Sequence, residues 1–498
     1  MVCAMVARRW LLASLGAFSA VGAACGSGGS APGPPDPPVA IPIATTTADR
    51  PGAPVDAGPV DAPRAAARAD VPAIACADAP ASVYVAPSAL APMTMASRGA
   101  VVRCAKDGLI DAAAIKTRLD GKAVTGITPT SETTVYRIAY RTYRDDGIAG
   151  ISTARVYLPT KPRSLPLSIV AIGHPTVGLA ASCTPSMDAT SLADVALPWA
   201  ARGFAVIAPD YAGLGADGVQ GYATNHDTAH SLLDGARALR AMLDPAALDT
   251  RVVLAGFSQG GGAVLAAQAL ARSYGAGGDV VAAIAFAPQF FSRIGSFGYV
   301  SLLRAPTALT ITAGISKPVV AALRSYALTY NLLGPTNAGV TFPVGARAGM
   351  AQAITTLCQT PFGGYLQGVA PHVGDLFDET FRSAMLACID GTSGCTGVAS
   401  QLHAWLMADF VTPDPKGAPV LYLQGLADTI MPPTEEAACN LALLKSAGVN
   451  AQACTDAFAG HTNVTPRNAA FALAWGEATL DGQPAPTCSA AGMPTCQP

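Results

Sequence analysis

The sequence has 498 residues, of which 51% are hydrophobic and 13% are charged, and its formal net charge is −2. A chain of this length can form one large domain or two ordinary ones. It contains no long run of basic residues, so no nucleic acid is predicted as a partner. The hydrophobic excess comes mostly from alanine and valine, and therefore does not indicate a membrane protein.

The N-terminal segment predicts export. A short apolar stretch follows Arg8 and Arg9, and small residues then lead to Cys25. This order is typical of a secretory signal peptide, and the apolar stretch is too short to span a membrane. Residues 1–25 are therefore predicted to be a signal peptide that uses either the general or the twin-arginine route. The expected location is extracellular or in the cell envelope.

Cys25 is a candidate for a lipid anchor. It directly follows Gly22, Ala23 and Ala24, which resemble a bacterial lipobox, although Leu is usual where Gly22 stands. Membrane attachment through a lipidated Cys25 is one expectation, and cleavage nearby with release of the chain is the alternative. Residues 26–75 are rich in Gly, Pro and Ala and cannot bury enough apolar surface to fold, so they are predicted to be a disordered linker.

The pattern beyond Cys76 predicts an α/β fold. Alternating apolar and polar residues at 134–142 and 152–158 predict an antiparallel hairpin. Short apolar runs then alternate with helical segments, which predicts a mostly parallel sheet with helices on both faces. The predicted strands are 167–173, 204–208, 252–257, 280–286, 420–424 and 455–458, and the clearest helices are 227–243 and 466–480, the latter with Thr465 as its N-cap.

One interval interrupts this alternation. Residues 288–417 contain short apolar helical patches and loops but no confident strand. An interval of this length between two strands is too long for a loop, so it is predicted to be an inserted helical lid. The core is accordingly assigned to residues 76–287 and 418–498.

Residues 252–262 predict a nucleophile elbow. A β-branched run ends in Gly-Phe-Ser-Gln-Gly, and an alanine-rich segment follows. The serine of such an elbow lies on a strained turn, so small residues are needed two positions before and after it; Gly256 and Gly260 stand there. The motif alone arises by chance in a chain with 50 Gly, but the strand before it and the helix after it favour Ser258 as a nucleophile.

A nucleophilic serine needs a base and an acid, in the chain order Ser, acid, His. Of the three histidines after Ser258, His372 and His403 lie in the predicted lid, whereas His461 follows the last predicted strand. His461 is therefore the predicted base, with a surface loop histidine as the alternative interpretation. The predicted acid is Asp428, in a turn after a buried strand.

The alternative acid is Asp456, which lies inside a predicted strand and close to His461 in sequence, whereas Asp428 could itself be a structural or surface aspartate. The predicted oxyanion-hole donors are the backbone N–H groups of Gln259 and Thr176. Thr176 is preferred because Pro175 has no N–H. His174 is expected to shape this loop.

Cysteine usage supports export. Of twelve cysteines, Cys3 and Cys25 belong to the predicted signal or anchor, and the ten others form an even number. No Cys-x-x-Cys and no zinc-like Cys/His spacing occurs, so no metal is predicted. Sequence does not determine connectivity, but the plausible local pairs are Cys388–Cys395, Cys439–Cys454 and Cys488–Cys496.

These segments together resemble the secretory lipase family of the α/β-hydrolase superfamily, whose members include lid-bearing lipase A-like enzymes. The resemblance covers roughly residues 80–490 and lies in residues 174–178, 183–186, 208–215, 231–237 and 256–260, together with the segments around Asp428 and His461. Pro175 departs from it, since relatives commonly have Gly there. The resemblance implies an α/β-hydrolase fold, hydrolysis of acyl esters and a tie between Cys183 and the lid, with Cys358 as the candidate partner.

The predicted activity is that of a serine esterase or lipase acting through an acyl-enzyme, without a cofactor. An ester or lipid is the expected small-molecule partner, and the oligomeric state is not predicted. A serine peptidase or amidase is the first alternative, because the same triad serves both reactions. A noncatalytic surface-binding protein is the second, although such a protein would be expected to have lost a triad member.

Overall fold

The structure, a computed structural model, describes residues 71–88, 91–145, 147–289, 297–311 and 316–496. The predicted signal peptide, Cys25 and nearly all of the predicted linker lie outside the described residues. The strands are β1 (Val101–Ile110), β2 (Thr133–Tyr143), β3 (Ala149–Pro159), β4 (Leu167–Gly173), β5 (Ala205–Pro209), β6 (Leu248–Phe257), β7 (Asp279–Phe286), β8 (Val420–Gly425) and β9 (Ala451–Asp456).

In the described part of the chain these strands form one nine-stranded sheet in the order β1-β2-β3-β5-β4-β6-β7-β8-β9. The hairpin of β2 and β3 is antiparallel, as predicted, and the five pairings from β5 through β9 are all parallel. The central strands are buried along their length, which explains their continuous apolar sequences. The predicted mostly parallel α/β sheet is thus confirmed.

Helices cover both faces of the sheet. They are α1 (Ala112–Gly121), α2 (Leu197–Ala201), α3 (Asn225–Met242), α4 (Gln259–Tyr274), α5 (Phe297–Arg304), α6 (Ser316–Leu333), α7 (Arg347–Thr356), α8 (Gln359–Val369), α9 (Glu379–Asp390), α10 (Gly397–Ala408), α11 (Ala438–Ser446) and α12 (Val464–Leu480). One apolar cluster joins α3, α4 and α11 to the sheet, and a second joins α1, α2 and α12 to the other face. None of the helices among the described residues is long and apolar enough to cross a membrane.

Helices α5 to α10 lie between β7 and β8. Their buried side chains form an apolar cluster of their own, which includes Phe342, Phe362 and Phe377. The same cluster takes in Leu179 and Tyr222, which come from loops of the sheet domain. The helical interval therefore has its own core, and it packs on loops at the edge of the sheet where the strands β4 and β5 end.

Three local predictions differ from the structure. Strand β1 was not predicted, because its alternation is interrupted by two register shifts and by Lys106 and Asp107. Strand β9 ends at Asp456, earlier than predicted, since this edge strand is only partly buried and carries a weak apolar pattern. Helix α12 begins at Val464 with Asn463 as its N-cap, so Thr465 is not the cap. Pro466 lies in the first turn, where a missing N–H has no cost.

The ten cysteines of the described residues form five disulfides. Cys388–Cys395 is as predicted, and Cys183–Cys358, which the resemblance implied, is also present. A further pair, Cys76–Cys104, fastens the first described residues to β1. The predicted pairs Cys439–Cys454 and Cys488–Cys496 are wrong, because the structure contains Cys439–Cys496 and Cys454–Cys488.

The course of the C-terminal tail explains this error. After α12 the tail runs back beside the edge strand β9, where the Thr455 N–H donates to the carbonyl of Ser489 at 2.9 Å. Cys488 therefore meets Cys454 on β9, and the end of the tail reaches Cys439 on α11. Spacing along the chain favoured the local pairs, but these contacts join residues that are distant in sequence.

Asp210, directly after β5, is a fully buried carboxyl group. The Ser186 N–H donates to its Oδ1 at 2.8 Å, and the hydroxyls of Thr153 and Ser186 donate to its Oδ2. Burial raises the pKa of Asp210 to about 7, although these hydrogen bonds favour the charged form. The folded protein therefore binds a proton at Asp210 more tightly than the unfolded chain does.

This shift predicts a pH-dependent stability. The contribution of Asp210 is fully present below about pH 4 and is lost as the pH rises through about 7, with a difference of up to about 4 kcal/mol. Asp210→Asn removes the titration, and its amide still meets the two hydroxyls. Between pH 5 and pH 8 the wild type should lose more free energy of unfolding in urea than the variant, because other groups titrate equally in both. Equal losses would contradict the assignment.

Candidate active site

Ser258 lies on a strained turn between β6 and α4. Its φ and ψ are 55° and −117°, a conformation that is unusual for a residue with a side chain. Three backbone hydrogen bonds hold it there: its N–H donates to the carbonyl of Phe286, and its carbonyl accepts from the N–H groups of Gly262 and Gln289. The serine is only 6% exposed. The local geometry is that of a nucleophile elbow.

Three glycines allow the backbone to come together beside this serine. A Cβ on Gly260 would lie 2.0 Å from the carbonyl oxygen of Gly173, and one on Gly256 would lie 2.3 Å from the carbonyl oxygen of Gly260. A Cβ on Gly173 would lie 2.6 Å from that same oxygen. The reason given for Gly256 and Gly260 in the motif therefore agrees with the contacts, and Gly173 at the end of β4 is a third member that the motif does not include.

His461 meets Ser258 from the loop after β9. Its Nε2 is 2.9 Å from the Ser258 Oγ, and its Nδ1 is 2.8 Å from the Oδ2 of Asp428. The ring packs against Phe257, with 4.9 Å between the ring centroids. The structure therefore brings together all three residues that the sequence suggested, although they come from three separate strand ends.

The carboxylate of Asp428 is buried and oriented by its own loop. Its Oδ1 accepts from the N–H groups of Ile430 and Met431, each at 2.8 Å. Its Oδ2, which faces His461, also accepts from the side chain of Gln424 at 3.3 Å. With Nδ1 directed at a carboxylate, the Nε2 of His461 faces the Ser258 hydroxyl.

The alternative acid, Asp456, is engaged elsewhere. Its carboxylate forms an ion pair with Arg467 at 2.7 Å, which lowers the pKa of Asp456. It also accepts from the N–H of Phe458. His372 and His403 both lie among the helices between β7 and β8, and His372 is paired there with Asp375.

The two predicted oxyanion donors lie on neighbouring segments. Gln259 is the first residue of α4, where a backbone N–H has no acceptor within the helix. Thr176 lies in the loop after β4, which meets the start of α4 through the contact of Gly173 with Gly260. The Thr176 hydroxyl is 2.8 Å from the hydroxyl of Tyr222. The donor roles themselves remain predictions.

His174 begins this loop and is fully buried. Its ring nitrogens lie 2.6 Å from the carbonyl oxygen of Pro175 and 3.1 Å from that of Asp210, and its ring packs at a tilt against Tyr211 with 4.3 Å between the ring centroids. Burial lowers the pKa of His174 to about 4, so the ring is neutral at pH 7. These contacts are those of a residue that shapes the loop, as predicted.

Three polar residues at the site were missed from the sequence: Gln424 beside Asp428, and Gln220 and Tyr222 beside the oxyanion loop. A single glutamine or tyrosine belongs to no sequence motif. The partners of Gln220 and Tyr222 are distant in the chain, and Gln424 contacts Asp428 because the loop between them turns back. Among the described residues, no group of three His, Cys, Asp or Glu side chains is arranged to hold a metal ion.

Taken together, the strand order, the sharp turn after β6 and the helices on both faces of the sheet define an α/β-hydrolase fold. The family profile described as "Secretory lipase" matches residues 182–290, which confirms the resemblance inferred from the sequence. No curated protein matches in a sequence comparison.

Solved structures show the same fold. The cell wall degrading esterase LipA from Xanthomonas oryzae is 21% identical with a TM-score of 0.58, over 78% of this chain and all of that one. Lipase A from Candida antarctica in its closed state is 18% identical with a TM-score of 0.57, over 80% of this chain and 86% of that one. These structures show the fold, and the family match supports a carboxylic ester hydrolase.

The glycine contacts predict a sharp difference between two substitutions. Gly260→Ala should lower the free energy of unfolding by about 3 kcal/mol or more, because the new methyl group meets rigid backbone rather than a movable side chain. Gly364→Ala on α8 is the matched control, since its methyl group meets nothing within 4 Å and should be neutral or slightly stabilising. Thermal or urea unfolding measures both. Similar stabilities for the two variants would show that the contact at Gly173 is not tight.

Proposed function

We propose that this protein is an exported serine hydrolase that cleaves carboxylic esters, with Ser258 as nucleophile, His461 as general base and acid, and Asp428 as the orienting carboxylate. The observation that carries the proposal is the unbroken hydrogen-bond path from the Ser258 Oγ through the His461 ring to Asp428. It lies on the strained elbow of a lipase-like fold.

The reaction proceeds through an acyl-enzyme. His461 accepts the Ser258 proton at Nε2 while the Oγ attacks the ester carbonyl carbon, and the carbonyl oxygen becomes an oxyanion. The backbone N–H groups of Gln259 and Thr176 donate hydrogen bonds to this oxyanion and stabilise its charge. His461 then donates its proton to the leaving alcohol, and the C–O bond of the ester breaks. Water, activated by the same imidazole, attacks the acyl-enzyme and releases the acid.

Residues 288–417 act as the lid of this site. Helices α5 to α10 share a core with Tyr222, whose hydroxyl contacts Thr176, and Ser258 is only 6% exposed. The Cys183–Cys358 disulfide ties this layer to the segment that follows the oxyanion loop. We infer that part of this layer moves when an ester reaches Ser258.

Export is supported by the five disulfides, which form and persist in oxidising compartments. We propose that a signal peptide at residues 1–25 directs this export and that Cys25 carries a lipid anchor. The substrate is an ester of an acyl chain, the class shared by the esterase and the lipase with which the fold is compared. No cofactor is needed for the proton transfers described.

The first test is covalent labelling and turnover. A fluorophosphonate should label the wild type at Ser258, and Ser258→Ala should abolish both labelling and hydrolysis of p-nitrophenyl esters, with a fall in kcat of about 10⁴-fold or more. A parallel panel of peptide p-nitroanilides should show little turnover. Full esterase activity in Ser258→Ala would refute the assignment of the nucleophile. Faster cleavage of the anilides than of the esters would show that the protein is an amidase rather than an esterase.

The second test separates the two candidate acids. Asp428→Asn keeps the shape of the side chain but stabilises the wrong tautomer of His461, so kcat should fall by about 10⁴-fold. Asp456→Asn is the matched control: it is much closer to His461 in sequence than Asp428 is, but its carboxylate pairs with Arg467. Its kcat should stay close to that of the wild type. The reverse pattern would make Asp456 the acid.

A further inference from the structure

We propose that Gln220 and Tyr222 form a clamp that sets the relative position of the two oxyanion-hole donor segments, and that both are positioning residues for ester hydrolysis. The inference rests on the proposed function, and it deepens that function by naming residues outside the triad. The clamp is defined by these two side chains, which lie in the loop between β5 and α3 and are both fully buried.

Gln220 joins the two segments with a single amide. Its Nε2 donates to the carbonyl oxygen of Gly178 at 2.9 Å, at the end of the loop that follows β4. Its Oε1 accepts from the side-chain Nε2 of Gln259 at 3.1 Å, on the first residue of α4. One planar group thus spans the loop that carries Thr176 and the helix start that carries the other predicted donor.

Tyr222 adds a third contact to the same loop. Its hydroxyl is 2.8 Å from the hydroxyl of Thr176, and its own N–H donates to the carbonyl oxygen of Gln220 at 2.8 Å. The two clamp side chains are therefore fixed relative to each other by their backbone. Thr176 and Gly178, on either side of Val177, are both held from this one short segment.

The segment that carries the clamp is itself attached to the sheet domain. Arg144, at the end of the hairpin strand β2, donates from Nη2 to the carbonyl oxygen of Val219 at 2.9 Å. Gly213 lies so close that a Cβ on it would be 2.6 Å from that same carbonyl oxygen. Gly221 lies against the carboxylate of Asp227 on α3. The clamp therefore links the sheet domain to the loop after β4, which carries Thr176.

The opposite side of the oxyanion loop is attached to the helical layer. The N–H of Gln359 on α8 donates to the carbonyl oxygen of Val177 at 2.8 Å, and Gly178 forms a β-bridge with Cys358. Motion of α8 would therefore pull directly on the residues next to Thr176. A displacement of about 1 Å in a catalytic group can reduce turnover by about a hundredfold, so a second attachment, to the rigid side, has a functional value.

The test uses Gln220→Leu, which removes both hydrogen bonds of the side-chain amide and leaves an apolar side chain in its place. We expect kcat to fall by about tenfold to a hundredfold while KM changes by less than about threefold, since the clamp acts on transition-state donors. The inhibition constant of phenylboronic acid, whose tetrahedral adduct occupies the oxyanion hole, should rise by the same factor as kcat falls.

Gln268→Leu is the matched control. Gln268 is also a fully buried glutamine, and its Nε2 donates to two carbonyl oxygens, those of Asp414 and Ala418 at 3.1 Å. Its removal should lower thermal stability by an amount similar to that for Gln220→Leu but leave kcat and the boronic acid affinity unchanged. A fall in kcat in both variants by the same factor would assign the effect to stability and overturn the proposal.

Two further variants decide the case even if Gln220→Leu does not fold. Gln220→Glu should be impaired when ionised, because a carboxylate cannot donate to the carbonyl of Gly178, and its kcat relative to the wild type should recover as the pH falls and the acid becomes a donor. Tyr222→Phe should lower kcat about three- to tenfold with KM unchanged. A pH-independent ratio together with wild-type kcat in Tyr222→Phe would overturn the clamp, whereas retained activity in Ser258→Ala would instead refute the underlying function.

Discussion

The backbone contact between Gly173 and Gly260 is the constraint on which the rest of the site depends. It brings the start of α4 against the end of β4 at a distance that no side chain would tolerate. The turn between β6 and α4 must then be sharp, and Ser258 takes up the positive φ that this sharpness requires. The same contact places the loop after β4 beside the first N–H group of α4. The nucleophile and both predicted donors of the oxyanion hole are therefore consequences of one close approach.

The sequence predicted those parts of the fold and of the site that are marked by a pattern within a short stretch of chain. Ser258 and Asp428 each follow a buried strand, and His461 follows the partly buried edge strand β9. The ends of parallel strands meet at one edge of a sheet, so the chain order and context of these residues were enough to group them. The central strands were visible as apolar runs because they are buried on both faces. Residues whose role depends on distant partners were not visible. Gln220 joins Gly178 to Gln259, and no periodicity or spacing marks it.

The wrong disulfides have the same cause. Cys439 on α11 and Cys454 on β9 are close in sequence, but each of them pairs with a cysteine of the returning tail instead. The tail's path is set by hydrogen bonds to the edge strand, such as that between Thr455 and Ser489. An edge strand offers unpaired backbone groups to any segment that passes, and here Ser489 of the returning tail accepts from one of them.

This path divides the triad into two halves with different supports. Ser258 follows β6, a central strand that is paired with parallel neighbours on both sides. Asp428 follows β8, which is also paired on both sides, whereas His461 follows the edge strand β9. The loops after these two strands are joined by the hydrogen bond from the Ala427 N–H to the carbonyl of Ala459. The tail covers these loops, since Gly492 lies against Leu426, and two disulfides hold the tail in place. Two disulfides therefore support the side of the proposed triad that includes His461, which follows a strand paired with the sheet on one side only.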